Sequence, residues 1–273
     1  MQPLGDRIGI GRTSDVFAYG DDSVVKVPYA HLPDDWTVFE AEIASGIFAA
    51  GLPVPEVRDV IEIDGRTAAV FERIEGPSMW QRIVEHPSDA AALGRELAHI
   101  QRSLLAAGIP DGVPDFVDRL VRRIAIAEPL AEPERGEATR LAHELPRGAA
   151  LLHGDLHPGN VLMSLTGPIV IDWFDAAIGH PIADIVRSSI LMRAGSGHAP
   201  DHLPGASPQM LQQLHDAYID QFADELSDAA PDLAAWQAAV AVGRLAEGAE
   251  ADERWLIQLW EARTEASAVG FDR

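Results

Sequence analysis

The sequence HGDLHPGN at residues 153–160, followed by IVIDW at residues 169–173, decides how this chain is interpreted. Each segment stands beside a short apolar run, and the two runs are spaced to pair as a β-hairpin. Such a hairpin would bring Asp155, Asn160 and Asp172 to one edge. An amide and a carboxylate that bind a hard cation, beside a second carboxylate that accepts a proton, suit Mg²⁺-assisted phosphoryl transfer. In that reaction Asp155 would accept the proton of an acceptor hydroxyl, and Asn160 and Asp172 would hold the metal on the nucleotide phosphates.

Upstream of these segments, the first quarter of the chain predicts β-strands and one helix. Short β-rich pieces are separated by turn residues, and Asp64-Gly65 is a strong hairpin signal. Apolar residues recur at three- and four-residue steps across residues 33–50, which is the spacing of a helix. The predicted strands cover residues 7–11, 14–19, 23–28, 56–63 and 66–74. We therefore expect a small antiparallel lobe of five strands with one helix.

Downstream of Gly76 the composition changes and predicts mainly helix. The clearest helical patterns lie at residues 89–105, 114–127 and 134–145. The fold class expected from these patterns is α+β. We expect two lobes, a β-rich lobe at residues 1–75 and a larger, mainly helical lobe at residues 76–273.

Charge and composition exclude several kinds of partner and site. The 43 Asp and Glu residues against 21 Lys and Arg residues give a formal net charge of −22. Nucleic acids and anionic membranes are bound through basic patches, so neither is expected as a partner. The chain has no cysteine, which excludes disulfides and thiolate nucleophiles. Because signal-peptide features and long apolar stretches are missing, we expect a cytoplasmic protein.

The polar segments resemble the signature of the aminoglycoside phosphotransferase and choline kinase-like family, which consists of small-molecule kinases related to protein kinases. The resemblance is carried by residues 153–160 and 171–173. The spacing from Asp155 to Asn160 is also that of the protein-kinase catalytic loop. This resemblance implies a protein-kinase-like two-lobe fold, ATP or GTP as the phosphoryl donor, and Mg²⁺ as the cofactor. It also implies that Asp155 is catalytic and that Asn160 and Asp172 bind the metal.

The single lysine of the chain is a second element of the resemblance. Twenty of the 21 basic residues are arginine, and the exception is Lys26, within a predicted strand. In the kinase arrangement, a lysine on the third strand contacts the nucleotide phosphates and pairs with a glutamate on the following helix. The resemblance places Glu40 at the usual position for that partner, while Glu42 stays open because a single sequence does not fix the helix face.

Two further segments resemble nucleotide-binding elements of the family. The GIGRTS segment around Gly11 resembles a phosphate-covering loop, in which backbone N–H groups and the Ser14 hydroxyl would face the nucleotide. The FERIEG segment resembles the hinge, where main-chain groups from Glu72 to Ile74 would bind the adenine edge.

The resemblance also implies supporting roles. His153 would pack and hydrogen-bond the catalytic loop, and Asp184 falls where the family has an aspartate that braces this loop. The chain departs from the family at one turn, where His180 replaces the aspartate of the usual Gly-Asp-Pro. The role of that turn therefore stays open.

Two features bear on the acceptor. The segment between Asp172 and the turn at His180 is too short to dock a peptide as a protein kinase does, so a small molecule is expected. From Asp201 onward the chain has 14 acidic residues and four arginines, in the region where the family builds its acceptor-binding helices. A cationic acceptor is therefore expected, such as an aminoglycoside, a basic peptide antibiotic or a choline-like amine. The tryptophans of this region would form either a cation–π wall or core; they are Trp236, Trp255 and Trp260.

Three alternative functions follow from the same residues. A metabolic kinase would phosphorylate choline, an amino alcohol or a sugar, whereas a pseudokinase would bind nucleotide without turnover. The intact set of Lys26, Asp155, Asn160 and Asp172 argues against the pseudokinase. The Asp-x-His spacing at Asp155 is also that of a dinuclear metallophosphoesterase. That class requires a Gly-Asn-His block, which is missing because Val161 follows Asn160.

Overall fold

The computed structural model describes residues 3–197, 207–248 and 250–264. Its first part is a five-stranded antiparallel sheet with the strand order β1-β2-β3-β5-β4. The strands are β1 (Arg7–Ile10), β2 (Ser14–Ala18), β3 (Ser23–Pro28), β4 (Val57–Ile63) and β5 (Arg66–Glu72). All five predicted strands are present, and β5 ends two residues before its predicted end.

Successive side chains along β3 point to opposite faces of the sheet, and this determines which face carries the lysine. Val25 and Val27 are buried on one face, where they pack with apolar residues of β4 and β5. Lys26, one residue from each, therefore lies on the opposite face. Because β3 is hydrogen-bonded to β2 on one side and to β5 on the other, Lys26 stands in the middle of the sheet.

The predicted turn at Asp64 and Gly65 joins β4 to β5. Its two residues have φ values of 51° and 74°, and Ile63 pairs with Arg66 across the turn. Two central residues with positive φ are the pattern of a type I′ hairpin turn, which aspartate and glycine adopt readily. The hairpin predicted from this dipeptide is therefore confirmed.

The predicted first helix is α1 (Asp34–Ala49), which begins after Pro33 with two aspartates in its first turn. Negative charge in the first turn interacts favourably with the helix dipole. Glu40, Ile43 and Ile47 are buried and lie three and four residues apart, so they share one face of the helix. The helix therefore carries a carboxylate within its buried face.

Helices form most of the described chain after the sheet. They are α2 (Met79–Glu85), α3 (Ala90–Leu105), α4 (Phe116–Ala125), α5 (Glu132–Glu144), α6 (Pro181–Gly197), α7 (Pro208–Ile219), α8 (Ala223–Asp228), α9 (Leu233–Leu245) and α10 (Glu253–Glu261). Between α5 and α6, β6 (Ala150–Leu152) pairs with β9 (Ala177–Gly179), and β7 (Val161–Ser164) pairs with β8 (Gly167–Val170). Within the residues that the structure describes, no helix has both the length and the apolar character needed to span a membrane.

The segment that leaves the sheet crosses closely over β7. Gly76 has a φ of 150°, and a Cβ atom there would lie 2.3 Å from the carbonyl oxygen of Met163, so a larger residue would clash with backbone. The Met163 N–H donates to the carbonyl oxygen of Pro77 over 2.8 Å. This crossing ties the β7–β8 hairpin to the segment that follows the sheet. A lobe boundary near Gly76 remains our proposal.

The larger hydrophobic core lies mainly among the helices. Its largest fully buried side chains include Trp173, Trp236, Trp260, Tyr218 and Phe222. Burying one large apolar side chain stabilises the folded state by roughly 1.5–3 kcal/mol relative to leaving it exposed. Trp236 and Trp260 are each 1% exposed, so they belong to the core and are not open to form a cation–π wall around an acceptor. Trp255 packs against this core beneath the guanidinium of Arg193.

Candidate functional site

The β7–β8 hairpin brings predicted site residues to one of its ends. The two strands pair in register, and the Ile171 N–H donates to the carbonyl oxygen of Asn160 over 3.0 Å. Asn160, just before β7, therefore lies beside Ile171, just after β8, and Asp172 is the next residue. The Asn160 side chain in turn contacts Asp155, with its amide nitrogen 2.9 Å from the Asp155 carbonyl oxygen. The structure thus places these residues together, as the sequence predicts.

His153 links the loop that carries Asp155 to the end of the hairpin. Its side chain is fully buried, and its Nδ1 accepts the Asp155 N–H over 3.2 Å. Because Nδ1 accepts, the proton is on Nε2, which donates to the carbonyl oxygen of Ile171 over 3.1 Å. The ring also packs against Trp173, with 4.5 Å between the centroids. His153 therefore joins the loop of Asp155 to the end of the hairpin, and the supporting role that the resemblance implies stays a prediction.

Asp184 holds the same loop from α6. One carboxylate oxygen accepts the Gly154 N–H over 2.7 Å, and the other accepts the His153 N–H over 3.2 Å. Gln101 of α3 donates to the second oxygen over 2.9 Å. Asp184 is 1% exposed, so its charge is compensated by hydrogen bonds from the loop and from α3. These hydrogen bonds are consistent with the brace that the resemblance implies, a role that stays a prediction.

The two predicted metal ligands present oxygen atoms that suit a hard cation. The Asn160 amide nitrogen donates to the Asp155 backbone, so the amide oxygen is the atom left for a cation. Asp172 has a φ of 66°, a left-handed conformation that is uncommon outside glycine and is often found at functional sites. Within the described ranges, no three His, Asp or Glu side chains are grouped to hold a metal. Mg²⁺ commonly uses one or two protein oxygens together with phosphates, so the pair fits it.

Lys26 contacts two carboxylates. Its Nζ lies 2.6 Å from Glu40 Oε1 and 3.0 Å from Asp172 Oδ1. Burial alone would lower the pKa of Lys26, but the charges of Glu40 and Asp172 outweigh burial and raise the pKa above its usual value. The same ammonium holds the pKa of Asp172 below its usual value against the effect of burial. Of the two glutamates left open by the sequence, Glu40 makes this contact, and Glu42 is exposed.

The loop between β1 and β2 is closed by its own backbone. The Gly11 N–H donates to the carbonyl oxygen of Ser14 over 2.8 Å. Ser14 is 3% exposed, and its hydroxyl has no hydrogen-bond partner within the described part of the chain. At the tip of the loop, Arg12 Nη1 lies 3.2 Å from Glu247 Oε2, which follows α9. The loop therefore carries a buried free hydroxyl and a contact with the helical part of the protein.

The predicted hinge offers fewer free backbone groups than the sequence suggests. The Glu72 N–H donates to Glu56 over 2.8 Å, and the Arg73 N–H donates to Asp22 over 2.9 Å. Both N–H groups are therefore occupied by backbone carbonyls next to the sheet. In the part of the chain that the structure describes, the Ile74 N–H has no such partner. Ile74, rather than the Glu72 N–H, is the donor available to a ligand.

A cluster of arginines around one carboxylate was not predicted from the sequence. Glu247 is ion-paired with Arg187 and Arg244 at 2.7 Å each, with Arg12 at 3.2 Å and with Arg123 at 3.3 Å. We call these five residues the Glu247 cluster. Burial opposes ionisation of Glu247, but its arginines, Arg187 and Arg123 foremost, hold its pKa at about 2. The carboxylate is therefore ionised at neutral pH.

Asp175 is a second buried acid shared by these arginines. Its Oδ1 accepts hydrogen bonds from Arg123 over 2.6 Å and from Arg119 over 3.0 Å, and Arg187 lies 3.6 Å from its Oδ2. Against the effect of burial, Arg123 and Arg187 hold the pKa of Asp175 at about 2. Arg187 also reaches Asp155, with Nη2 3.2 Å from Oδ1. The cluster therefore extends to the predicted catalytic residue.

One available signal could have drawn attention to Arg187. It lies three residues after Asp184 on α6, so both side chains belong to the same helix face and point toward the same loop. Glu247 had no comparable signal, because it lies in a part of the chain without a recognisable motif. Apart from the neighbouring Arg244, its partners come from three distant segments, which only the packed structure brings together.

The hydrogen bonding of His180 explains how a histidine can replace the family's aspartate at this turn. The Ile182 N–H donates to His180 Nδ1 over 3.3 Å at the start of α6. A ring nitrogen that accepts must be unprotonated, and burial lowers the pKa of His180, partly opposed by the charge of Asp232. His180 therefore accepts from the first turn of the helix, as an aspartate at that position would.

Comparisons with known proteins agree with the expected family. A family model described as a phosphotransferase enzyme family, APH, matches residues 6–203. The chain is similar to a thermostable mutant of aminoglycoside phosphotransferase APH(4)-Ia in ternary complex with ADP and hygromycin B. Identity is 18%, coverage is 98% of this chain and 95% of that chain, and the TM-score is 0.66.

Two other solved structures share the fold. The GDP and kanamycin complex of APH(2")-IIia is 19% identical over 97% of this chain and 93% of that chain, with a TM-score of 0.56. A choline/ethanolamine kinase family protein from Mesorhizobium loti is 18% identical over 96% of this chain and 85% of that chain, with a TM-score of 0.58. No curated protein matches the chain. At these identities the structures establish the fold, which confirms the predicted α+β class.

Proposed function

Because this chain belongs to the APH phosphotransferase enzyme family, we propose that it transfers the γ-phosphoryl group of ATP or GTP to a hydroxyl group of a small molecule. The observation that carries this proposal is the contact of Lys26 with both Glu40 and Asp172. It joins the sheet, α1 and the hairpin at one place, and the hairpin also carries Asn160 beside Asp155. A phosphoryl-transfer site needs a phosphate-binding cation, metal ligands and an acceptor-orienting carboxylate together.

We assign the nucleotide to the side of the site lined by the β1–β2 loop and Lys26. The buried Ser14 hydroxyl lacks a partner in the described structure, and a phosphate oxygen would satisfy it. The Gly11 N–H is already bonded to Ser14, so the backbone N–H groups that follow Gly11 in the loop would face the same phosphates, while the free N–H of Ile74 would bind the adenine or guanine edge. In a chain with a net charge of −22, Lys26 supplies local positive charge for an anionic nucleotide.

We assign the metal to Asn160 and Asp172, whose oxygen atoms suit Mg²⁺. When bound, Mg²⁺ supplies positive charge that offsets the negative charge of the phosphates. Asp155 then has the role of orienting the acceptor hydroxyl and accepting its proton. Because transition states of phosphoryl transfer are loose, orientation matters more than base strength.

The acceptor class has support from two directions. The similar structures include complexes with hygromycin B and kanamycin, which favours an aminoglycoside or another cationic antibiotic. The likeness to a choline/ethanolamine kinase family protein favours a metabolic amino alcohol. Glu247, one of the C-terminal acids behind the prediction of a cationic acceptor, is already paired with four arginines. A cationic acceptor would therefore have to bind other carboxylates.

The test is phosphorylation by the purified protein, with ATP or GTP and Mg²⁺, of a panel of aminoglycosides, choline, amino alcohols and sugars. We expect a phosphorylated product from at least one acceptor, and loss of that product in Asp155→Ala. Asp21→Asn, at an exposed turn, is the matched control and should behave as wild type. Nucleotide binding without product from any acceptor would instead indicate a pseudokinase.

A further inference from the structure

Arg187 makes two contacts with the loop that carries Asp155. Its Nε donates to the carbonyl oxygen of Gly154, and its Nη2 donates to Asp155 Oδ1 over 3.2 Å. The Arg187 side chain is 3% exposed. One rigid guanidinium therefore bridges the backbone immediately before the carboxylate and the carboxylate itself.

These two contacts define the orientation of the Asp155 side chain. With Oδ1 held by Arg187, rotation of the carboxylate would break a charge-assisted hydrogen bond. The second oxygen, Oδ2, has weaker neighbours, with Asn160 Nδ2 at 3.4 Å and His157 Nε2 at 4.0 Å. Oδ2 is therefore the oxygen free to receive an acceptor hydroxyl.

We propose that Arg187 is a positioning residue for Asp155, which fixes the carboxylate so that Oδ2 faces the acceptor hydroxyl. The inference rests on the proposed function, because Asp155 needs a defined orientation only if it acts on a substrate. A carboxylate aligned in advance lowers the entropic cost of reaching the reactive geometry.

Glu247 keeps Arg187 in place. The Arg187 guanidinium lies 2.7 Å from Glu247 Oε1, an ion pair without the alignment of a hydrogen bond, and 3.6 Å from Asp175 Oδ2. A buried guanidinium without such partners would carry a large desolvation penalty. The segment that follows α9 therefore acts on the catalytic loop through Arg187, and Glu247 is a second positioning residue.

Arg123 offers a matched control for this proposal. It contacts the same two acids, lying 2.6 Å from Asp175 and 3.3 Å from Glu247. In the described structure it makes no contact with Asp155. Removing Arg123 therefore disturbs the same buried ion pairs while leaving the bond between Arg187 and Asp155 in place.

The experiment compares Arg187→Gln, Arg187→Lys, Glu247→Gln and Arg123→Gln with the wild type. It measures kcat, the KM for each substrate, nucleotide affinity and melting temperature. For Arg187→Gln we expect kcat to fall about 100-fold, the scale of a misaligned reactive group, with nucleotide affinity retained. Arg187→Lys should be intermediate, because an ammonium does not bridge Gly154 and Asp155 as a guanidinium does.

The controls separate positioning from general stability. Glu247→Gln should lower kcat less than Arg187→Gln does, and Arg123→Gln should lower the melting temperature with a much smaller loss of kcat per folded molecule than Arg187→Gln. The proposal is overturned if Arg187→Gln retains the wild-type kcat, or if Arg123→Gln loses kcat as severely.

A structural measurement tests the inference independently of turnover. In a crystal structure of Arg187→Gln, we expect the Asp155 carboxylate to adopt a different rotamer from that in the wild type. An unchanged Asp155 rotamer would overturn the inference even if no acceptor had been found. Absence of any product from the wild type would instead count against the proposed function alone.

Discussion

Lys26 Nζ lies 2.6 Å from Glu40 Oε1, so the only lysine of the chain is fixed by a buried glutamate of α1. Burial tends to raise the pKa of Glu40, and the ammonium partly opposes this. Asp172 shares the same ammonium at 3.0 Å. The position of α1 relative to the sheet therefore controls where the lysine is held, which links helix packing to the proposed phosphate site.

Glu40→Gln should impair turnover strongly, while Glu42→Gln should not. Glutamine keeps an acceptor oxygen but not the charge, so Asp172 becomes the only carboxylate that holds the Lys26 ammonium. We expect kcat/KM to fall on the order of 100-fold, the scale found when an oriented charge-stabilising group is disturbed. Steady-state kinetics with the nucleotide varied checks this. Equal effects of the two substitutions would contradict the assignment of Glu40 as the partner.

Asp172→Ala should abolish Mg²⁺-dependent turnover. The substitution removes one of the two proposed ligands and also the carboxylate 3.0 Å from Lys26. Asp172→Asn retains a single oxygen ligand without the charge, so we expect residual activity that requires more Mg²⁺. Titration of the rate with Mg²⁺ in both variants checks this. A near-wild-type rate in Asp172→Ala would refute the metal assignment.

Arg12→Gln should weaken nucleotide use with little effect on stability. Arg12 joins the β1–β2 loop to Glu247, but its own side chain is 56% exposed, and without it the buried Glu247 keeps its three other arginine partners. Without this contact the loop is less restrained over the phosphates, so we expect a higher KM for the nucleotide and an unchanged melting temperature.

Arg7→Gln is the control for that measurement. Arg7 is 51% exposed, and its 3.6 Å ion pair to Asp15 lies within the same two strands without reaching Glu247. It should leave the KM unchanged. If the KM for the nucleotide rose equally in both variants, the loss of any positive charge from these strands would explain the rise. The contact between Arg12 and Glu247 would then have no specific role.

The parts of the site that could be predicted from sequence are local in the chain. Asn160 and Asp172 lie at the two chain ends of one hairpin with a short turn. Their spacing in the sequence is therefore enough to predict that they lie close together. Asp64-Gly65 likewise specifies its own turn through backbone conformations that few residues tolerate. Helical periodicity alone did not distinguish Glu40 from Glu42 as the partner of Lys26. The choice of Glu40 came from the family resemblance.

The parts that could not be predicted depend on packing between distant segments. Arg12 and Glu247 are 235 positions apart, and they meet because α9 packs against α4 and α6 in a particular orientation. Hydrophobic periodicity identifies a helix but does not specify its neighbours. The sequence shows that His180 stands where the family has an aspartate. Its role at the start of α6 became evident only from the hydrogen bond that it accepts from the Ile182 N–H.

The free energy of unfolding should depend on pH through His215 of α7, which is buried against α6. His215 Nε2 lies 2.8 Å from Ser189 Oγ. Burial, together with the charge of Arg193, lowers the pKa of His215 to about 4, although Asp216 acts in the opposite direction. Between pH 4 and 6.5 the unfolded chain binds a proton at this residue and the folded chain does not, so acidification favours unfolding.

His215→Gln removes this titration and retains a group that can hydrogen-bond Ser189. Between pH 7.5 and pH 5, the wild type should lose about 2 kcal/mol more stability than the variant does, as linkage between the two pKa values requires. Denaturant titrations at the two pH values measure this difference, and effects of the other histidines cancel because both proteins share them. His143→Gln, at an exposed position of α5, should retain the wild-type pH dependence. If His215→Gln lost as much stability as the wild type, another group would have to be responsible for the acid sensitivity.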